Sequence, residues 1–390
     1  TAEMRRISLT NPQTLKVGAD SGEFVGRGKY NLLGTTALSA PLAAVPAFVL
    51  GLALMGTSPA KANPEDANVV AGNVTIDQVS ATRLNVIQSS DKAIIDWRSF
   101  SIDANEHTDF QQPSASSIAL NRVTGGAISE IFGRLTATGR VVLINPNGVL
   151  FGSSSRVDVS GLIASSSDIR NEDFLAGQYV FDIPGHQSAV IVNRGQITAG
   201  EGGLVGLVAP GVENSGVIAA HLGRVTLASG DAFTLDLYGD ELIRFTLPTE
   251  AAESLVTPDG LQLAALVTNS GTIIADGGTV VLSAAAAKGV VHDVVNMSGI
   301  VQARTVVERA GEIILGLGGG DEGIVRVTGT LDASGDDSGE SGGTVKVLGE
   351  KVGLFAGAHV DVSGDAGGGT ALIGGNFQGG GSEPNALRTY

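Results

Sequence analysis

The residue types best suited to chemistry at neutral pH are sparse in this chain. Its five histidines stand at 107, 186, 221, 292 and 359, each without a ligand-spaced partner, so they read as polar surface or strand residues. Ser153, Ser154 and Ser155 follow an apolar run, yet no Ser/His/Asp set has the strand-turn-helix context of a nucleophile. The stretch GLGGGDEG (316–323) has the look of a phosphate loop or a calcium repeat. It occurs once, lacks Lys-Ser/Thr and precedes no helix, which favours a glycine-rich corner. In SGDDSGESGG (334–343), Asp336, Asp337 and Glu340 offer oxygen ligands for calcium, although a solvated loop of this composition needs no ion. No catalytic residue, metal site or cofactor is assigned.

The most distinctive polar block is Asn145-Pro146-Asn147-Gly148, set between the apolar runs VVLI and VLFG. Asn suits the first position of a type I turn, Pro the second with φ near −65°, and Gly the fourth. The block is therefore expected to be a corner between two strands.

The elements that must carry these residues are short strands. Beyond residue 63, period-2 alternation and β-branched residues dominate, and long amphipathic helical patterns are missing. Two phrases recur. One is Asn, one or two residues, Gly, one residue, Ile or Val, as in VNRGQITAG, VENSGVIAA, VTNSGTIIADGG and VVNMSGIVQA, with asparagines at 193, 214, 269 and 296. The other is two small residues and then Val-x-Leu/Val, as in GGLVGLV, LGRVTLA, GGTVVLS and GGTVKVL. Repeats of 20 to 30 residues with glycine turns predict a solenoid in which each rung buries its apolar face against the next. A right-handed parallel β-helix is expected, with a ladder of Asn193, Asn214, Asn269 and Asn296 along its axis. A β-sandwich is the competing fold, but it gives no reason for the phrases to recur. Residues 171–189 and 238–267 break the pattern and are expected to leave the helix as short hairpins.

Composition agrees with such a column and excludes several function classes. Of 390 residues, 56 are glycine and none is cysteine, so disulfides, thiolate catalysis and cysteine zinc sites are ruled out. Residues 1–62 hold six basic and three acidic residues, leaving 18 of the 24 basic and 37 of the 40 acidic residues in 63–390, a net of −19. A body so acidic repels phosphate backbones, which argues against nucleic acid and against an anionic membrane surface.

Residues 30–60 carry no charge, follow Arg5, Arg6, Lys16, Arg27 and Lys29, and precede Ala60-Lys61-Ala62. This pattern predicts an extended signal peptide over 1–62, cleaved between Ala62 and Asn63. A retained transmembrane helix is the alternative that the length permits. The sequence does not begin with Met, and Met4 is a candidate start.

The segment 93–169 closely resembles the haemagglutination-activity, or two-partner secretion, domain of filamentous haemagglutinins and high-molecular-weight adhesins. The resemblance rests on Trp97, on Phe110-Gln111-Gln112-Pro113, on Asn121-Arg122-Val123, on Gly133-x-Leu135, and on Asn145-Pro146-Asn147-Gly148. Residues 342–376 look like passenger repeats of the adhesin branch. The resemblance implies a secretion domain over 63–310 with an N-terminal cap, followed over 311–390 by the start of a passenger that stops short of its end. It also implies export through an outer-membrane transporter whose periplasmic polypeptide-transport repeats bind the domain, and a host-cell receptor for the passenger. The lack of cysteine then has a physical reason, because a disulfide would knot a chain that must thread a pore. One departure is the absence of the Asn-Pro-Asn-Leu motif that many members carry earlier in the chain.

The leading expectation is a secreted, non-enzymatic adhesin-type exoprotein at the cell surface. From other classes come a β-helix polysaccharide-active enzyme and the stalk of a contact-dependent toxin or haem-acquisition exoprotein. The first lacks a visible cluster of carboxylates with Arg or Lys on one strand face. The second needs sequence beyond Tyr390.

Overall fold

The computed structural model describes residues 63–235, 244–246, 255–284, 293–316 and 323–390. The expected signal peptide through Ala62, His292 and most of the GLGGGDEG stretch lie outside them.

Each rung is three short strands joined by corners. One rung runs through Arg140–Ile144, the Asn-Pro-Asn-Gly corner, Gly148–Phe151, a serine corner, and Arg156–Val159 before Gly161–Ser165 opens the next. Strands at the same place in successive rungs pair in parallel and build two eleven-stranded sheets and one nine-stranded sheet. The fold is a parallel β-helix, and its three sheets continue without a break through residues 311–373.

The alternation read from the sequence becomes columns of side chains inside the helix. In the first sheet Val141, Leu162, Val205, Val225, Val280, Ile313 and Val345 stand in register and are fully buried. Each such side chain contributes about 1.5–3 kcal/mol by leaving water, but only when the neighbouring rung is present to cover it.

The corners explain the repeated phrases. Gly195, Gly216, Gly271, Gly299 and Gly329 form one vertical line, and a Cβ on any of the last four would collide with the carbonyl oxygen of the glycine above. That same carbonyl accepts the N–H that opens the next strand, as in Thr272 N to Gly216 O at 2.9 Å. The second phrase gives a second line, where a Cβ on Gly223 or Gly278 would collide with the carbonyl of the preceding corner glycine.

The N-terminal end is closed by two strands of opposite sense. Asn68–Ala71 runs antiparallel to Lys92–Trp97, and Val74–Ser80 runs antiparallel to Arg83–Gln88. Beneath this cap the helix interior is aromatic: Trp97 meets Phe100 edge-on at 5.7 Å, and Phe100 stacks near Phe110.

The excursion at 171–189 is a short helix, Asn171–Ala176, followed by the strand Tyr179–Phe181. That strand pairs antiparallel with Ala232–Leu235, which pairs with Arg244–Thr246 from the second excursion. The small sheet lies on the outer face of the first helical sheet, where Phe174, Tyr179, Phe181, Phe233 and Leu235 cover Ile94, Leu120, Val142 and Ile163. Strands such as VVLI are therefore buried on both faces, which is why they read as continuous apolar runs.

Candidate functional site: polar staples between rungs

The polar residues singled out in the sequence are mostly buried, and they bond from one rung to another. Trp97 donates its indole N–H to Asn121 Oδ1 at 3.0 Å, and Asn121 Nδ2 reaches Val142 O in the rung beyond at 3.3 Å. Gln112, beside the exposed Pro113, accepts from Gly139 N at 2.8 Å and donates towards Gln88 Oε1 and Arg140 O. These groups satisfy one another in a dry interior, where each unpaired donor would cost about 1–3 kcal/mol.

The Asn-Pro-Asn-Gly corner is the most connected of these staples. Gly148 N donates to Asn145 O at 3.0 Å, closing the turn, and Asn147 N donates to Asn145 Oδ1 at 2.9 Å. The fully buried Asn145 side chain also donates to Ala127 O and Ser129 Oγ in the preceding rung, both at 3.0 Å, while Asn147 Nδ2 reaches Gly125 O at 3.1 Å. Towards the following rung, Asn145 N donates to Ser165 O at 3.0 Å and Pro146 O accepts from His186 N at 3.0 Å. Gly148 sits at φ 113°, where a Cβ would collide with the carbonyl oxygen of Val190. Three rungs and the end of the excursion thus meet at one four-residue corner.

Arg122 fixes the beginning of the same excursion. Its Nη1 pairs with Asp96 at 3.0 Å, its Nε with Asp168 at 2.7 Å, and its Nη2 donates to Ile169 O and Asn171 Oδ1 at 3.0 Å. Burial works to lower the pKa of this guanidinium, but the bonds to Asp168 and Asp96 outweigh it and the net shift is upward. Lys92 completes the attachment by donating to Phe174 O and Leu175 O at the carbonyl end of the short helix.

The asparagine ladder is shorter than expected. Asn193 Nδ2 donates to Asn214 Oδ1 and Asn214 Nδ2 to Asn269 Oδ1, each at 2.7 Å. Asn296 does not join them. Met297 is in register with Asn269, and its sulfur lies 3.3 Å from Asn269 Nδ2, whereas Asn296 pairs with Thr268 on the outward side. The cause is visible in the phrase, which has two residues between Asn296 and Gly299 and one in the other three. The inward position is always two before the corner glycine.

Elsewhere the candidate residues are engaged in structure. Glu340 accepts from Val307 N and Asp337 N, and Asp336 pairs with Arg304. Among the described residues no group of three His, Asp or Glu side chains could hold a metal ion. His107 lies beside Thr136 Oγ1 at 2.7 Å, with its pKa lowered by burial. Asp96, Ser129, Ser165 and Asp168 were not singled out from the sequence, because a single Asp or Ser carries no periodic signal. The outer apolar cover was signalled only by the loss of alternation in the strands beneath it.

These features define a class: a β-helix whose distinctive polar residues bond rung to rung. The TPS secretion domain family model matches residues 57–347, and the chain belongs to that family. The crystal structure of the HMW1 secretion domain from Haemophilus influenzae is similar, with a TM-score of 0.69 and 32% identity, covering 84% of this chain and 81% of that one. A heme/hemopexin-binding protein of Haemophilus influenzae (strain ATCC 51907 / DSM 11121 / KW20 / Rd) is 34% identical over 213 residues, 53% of this chain. A second protein of that name, from Haemophilus influenzae, is 41% identical over 118 residues, 30% of this chain. The chain matches only 23% and 13% of the length of these two relatives.

Proposed function

We propose that this chain is the N-terminal region of a secreted, adhesin-type exoprotein and that its β-helix is the part recognised by a partner outer-membrane transporter. The match of residues 57–347 to a secretion domain carries the reading. On this reading residues 1–62 are the signal peptide, 63–310 the recognised domain and 311–390 the first rungs of a passenger that meets a host receptor. The staples at Trp97, Gln112, Asn121 and Asn145 supply a physical role: they specify the first rungs, so that a folded nucleus forms where export starts. Deleting the partner transporter is expected to leave the protein in the periplasm, read by fractionation and immunoblot. Normal appearance at the surface without it would overturn the proposal.

The names of the two curated relatives favour a second reading of the complete protein, haem acquisition, with the adhesin passenger replaced by a haem- or hemopexin-binding one. Binding of haem and hemopexin by the full-length gene product separates the two.

A further inference from the structure

The chain contains a single Asn-Gly pair, Asn147-Gly148, and it lies at the corner between Arg140–Ile144 and Gly148–Phe151. Asn-Gly is the dipeptide most prone to spontaneous deamidation, because glycine leaves its amide nitrogen open to the side chain before it. In that reaction Gly148 N gives up its proton and bonds to Asn147 Cγ. The Cγ–Nδ2 bond breaks and Nδ2 leaves as ammonia, taking up that proton. Water then opens the cyclic imide at either carbonyl, so asparagine plus water becomes isoaspartate or aspartate plus ammonia.

The folded corner restrains every group that this reaction uses. The nucleophile, Gly148 N, donates to Asn145 O at 3.0 Å and opens a strand paired in parallel with Val190–Asn193. The leaving group, Asn147 Nδ2, donates to Gly125 O at 3.1 Å, to Asn145 Oδ1 at 3.1 Å and towards Ala127 O at 3.5 Å. Asn147 N is held by Asn145 Oδ1 at 2.9 Å, so neither the backbone nor the side chain is free to turn. The same three acceptors disqualify the products. An ionised carboxylate only accepts hydrogen bonds, so at position 147 it would face three oxygens with no donor between them. Isoaspartate also adds one carbon to the main chain inside a four-residue turn.

We propose that Asn147 is a spontaneous modification site gated by folding: it cyclises onto Gly148 while the corner is unfolded, and the folded corner shuts the reaction off. A chain that folds promptly keeps its corner, whereas one that waits unfolded loses it. The corner therefore records the time spent unfolded. Its meaning for export rests on the reading of a chain that must reach its transporter before it folds; the gating itself does not.

The test incubates the purified full chain under native conditions and in urea, at one pH and temperature. Deamidation is followed by mass spectrometry of the tryptic peptide after Arg140, and isoaspartate by enzymatic methylation. Reaction from the native state passes through an opened corner, so its rate is the unfolded rate scaled by the open fraction, and it is expected to be at least about tenfold slower. Asn145→Ala removes the oxygen that holds both Asn147 N and Asn147 Nδ2. It is expected to raise the native rate and leave the rate in urea unchanged. Equal native and urea rates in the parent chain overturn the gating, and an unchanged native rate in Asn145→Ala overturns its assignment to these bonds. Chain aged in urea and returned to native conditions is expected to unfold at a lower denaturant midpoint; full recovery with isoaspartate in place overturns the loss of the corner. In cells lacking the transporter, retained chain is expected to carry more isoaspartate at 147 than chain secreted by the parent strain. Equal content overturns the link to export alone, and normal secretion without the transporter overturns the secretion reading while the gating is judged on the purified chain.

Discussion

The carbonyl of Pro146 and the amide of His186 are joined at 3.0 Å, so the turn of one rung accepts the returning end of the excursion that the next rung sends out. This bond uses backbone atoms only and survives substitution of either side chain. Pro146→Ala is therefore the clean probe of the corner. It is expected to cost about 0.4–1 kcal/mol, mainly through the freer unfolded chain, measured by urea unfolding. Asn145→Ala is expected to cost about 1–3 kcal/mol, because Ser129 Oγ loses its partner in a buried site and Asn147 N and Ala127 O lose theirs in half-buried ones. If the corner also serves recognition, Pro146→Ala lowers secreted yield further than its small stability loss accounts for.

The line of corner glycines makes a sharp contrast between positions. Gly271→Ala places a Cβ onto Gly216 O and is expected to cost about 3 kcal/mol or more, of the order found for severe core overpacking. Gly126→Ala meets nothing within 4 Å and should stay within about 0.5 kcal/mol. Thermal melts of the two variants decide it.

Arg122 holds four partners in a fork that Lys cannot reproduce. Arg122→Lys is expected to lose about 2–3 kcal/mol and to raise amide exchange selectively across 168–183, while the rungs beyond residue 324 keep their protection. Uniform loss of protection would show that the excursion is not a separately attached unit.

The ladder predicts an asymmetry at its end. Met297→Leu keeps the volume but removes the sulfur acceptor from Asn269 Nδ2, with an expected cost of about 1–2 kcal/mol. Met297→Asn accepts that bond but turns its own donors towards Val327, which is next in register, so no net gain in denaturant midpoint is expected.

Acid should loosen one surface loop before the helix. Asp259 is held at about 2 by Arg194 first and by Thr257. Its folded value lies below the ordinary carboxylate value, so its contribution is present above about pH 4 and is lost as pH falls through 2. An NMR titration of the 255–263 amides should follow that midpoint, and Arg194→Gln should move it upward.

Much of the helix was legible because a solenoid writes its period into the sequence. The corner glycines, the inward Val/Ile/Leu columns and the two excursions could all be placed from spacing. The ladder stops short of Asn296 because the inward position is fixed by distance from Gly299 and not by residue type. The Arg122 attachment was legible only in part: the arginine belongs to a recognisable motif, but its partners Asp96 and Asp168 are brought to it by a rung turn and an excursion.

The antiparallel cap has a consequence for assembly. The two ends of a bare solenoid complement each other, so copies could add head to tail without closing, the geometry that produces filaments. Among the described residues, the leading edges of the two eleven-stranded sheets belong to Asn68–Ala71 and Val74–Ser80, which run antiparallel to the strands next to them. A second copy arriving end-on would find strands of reversed polarity on two of the three sheets. The N-terminal reversal thus makes polymer growth from that end unfavourable, and it does so with backbone direction rather than charge.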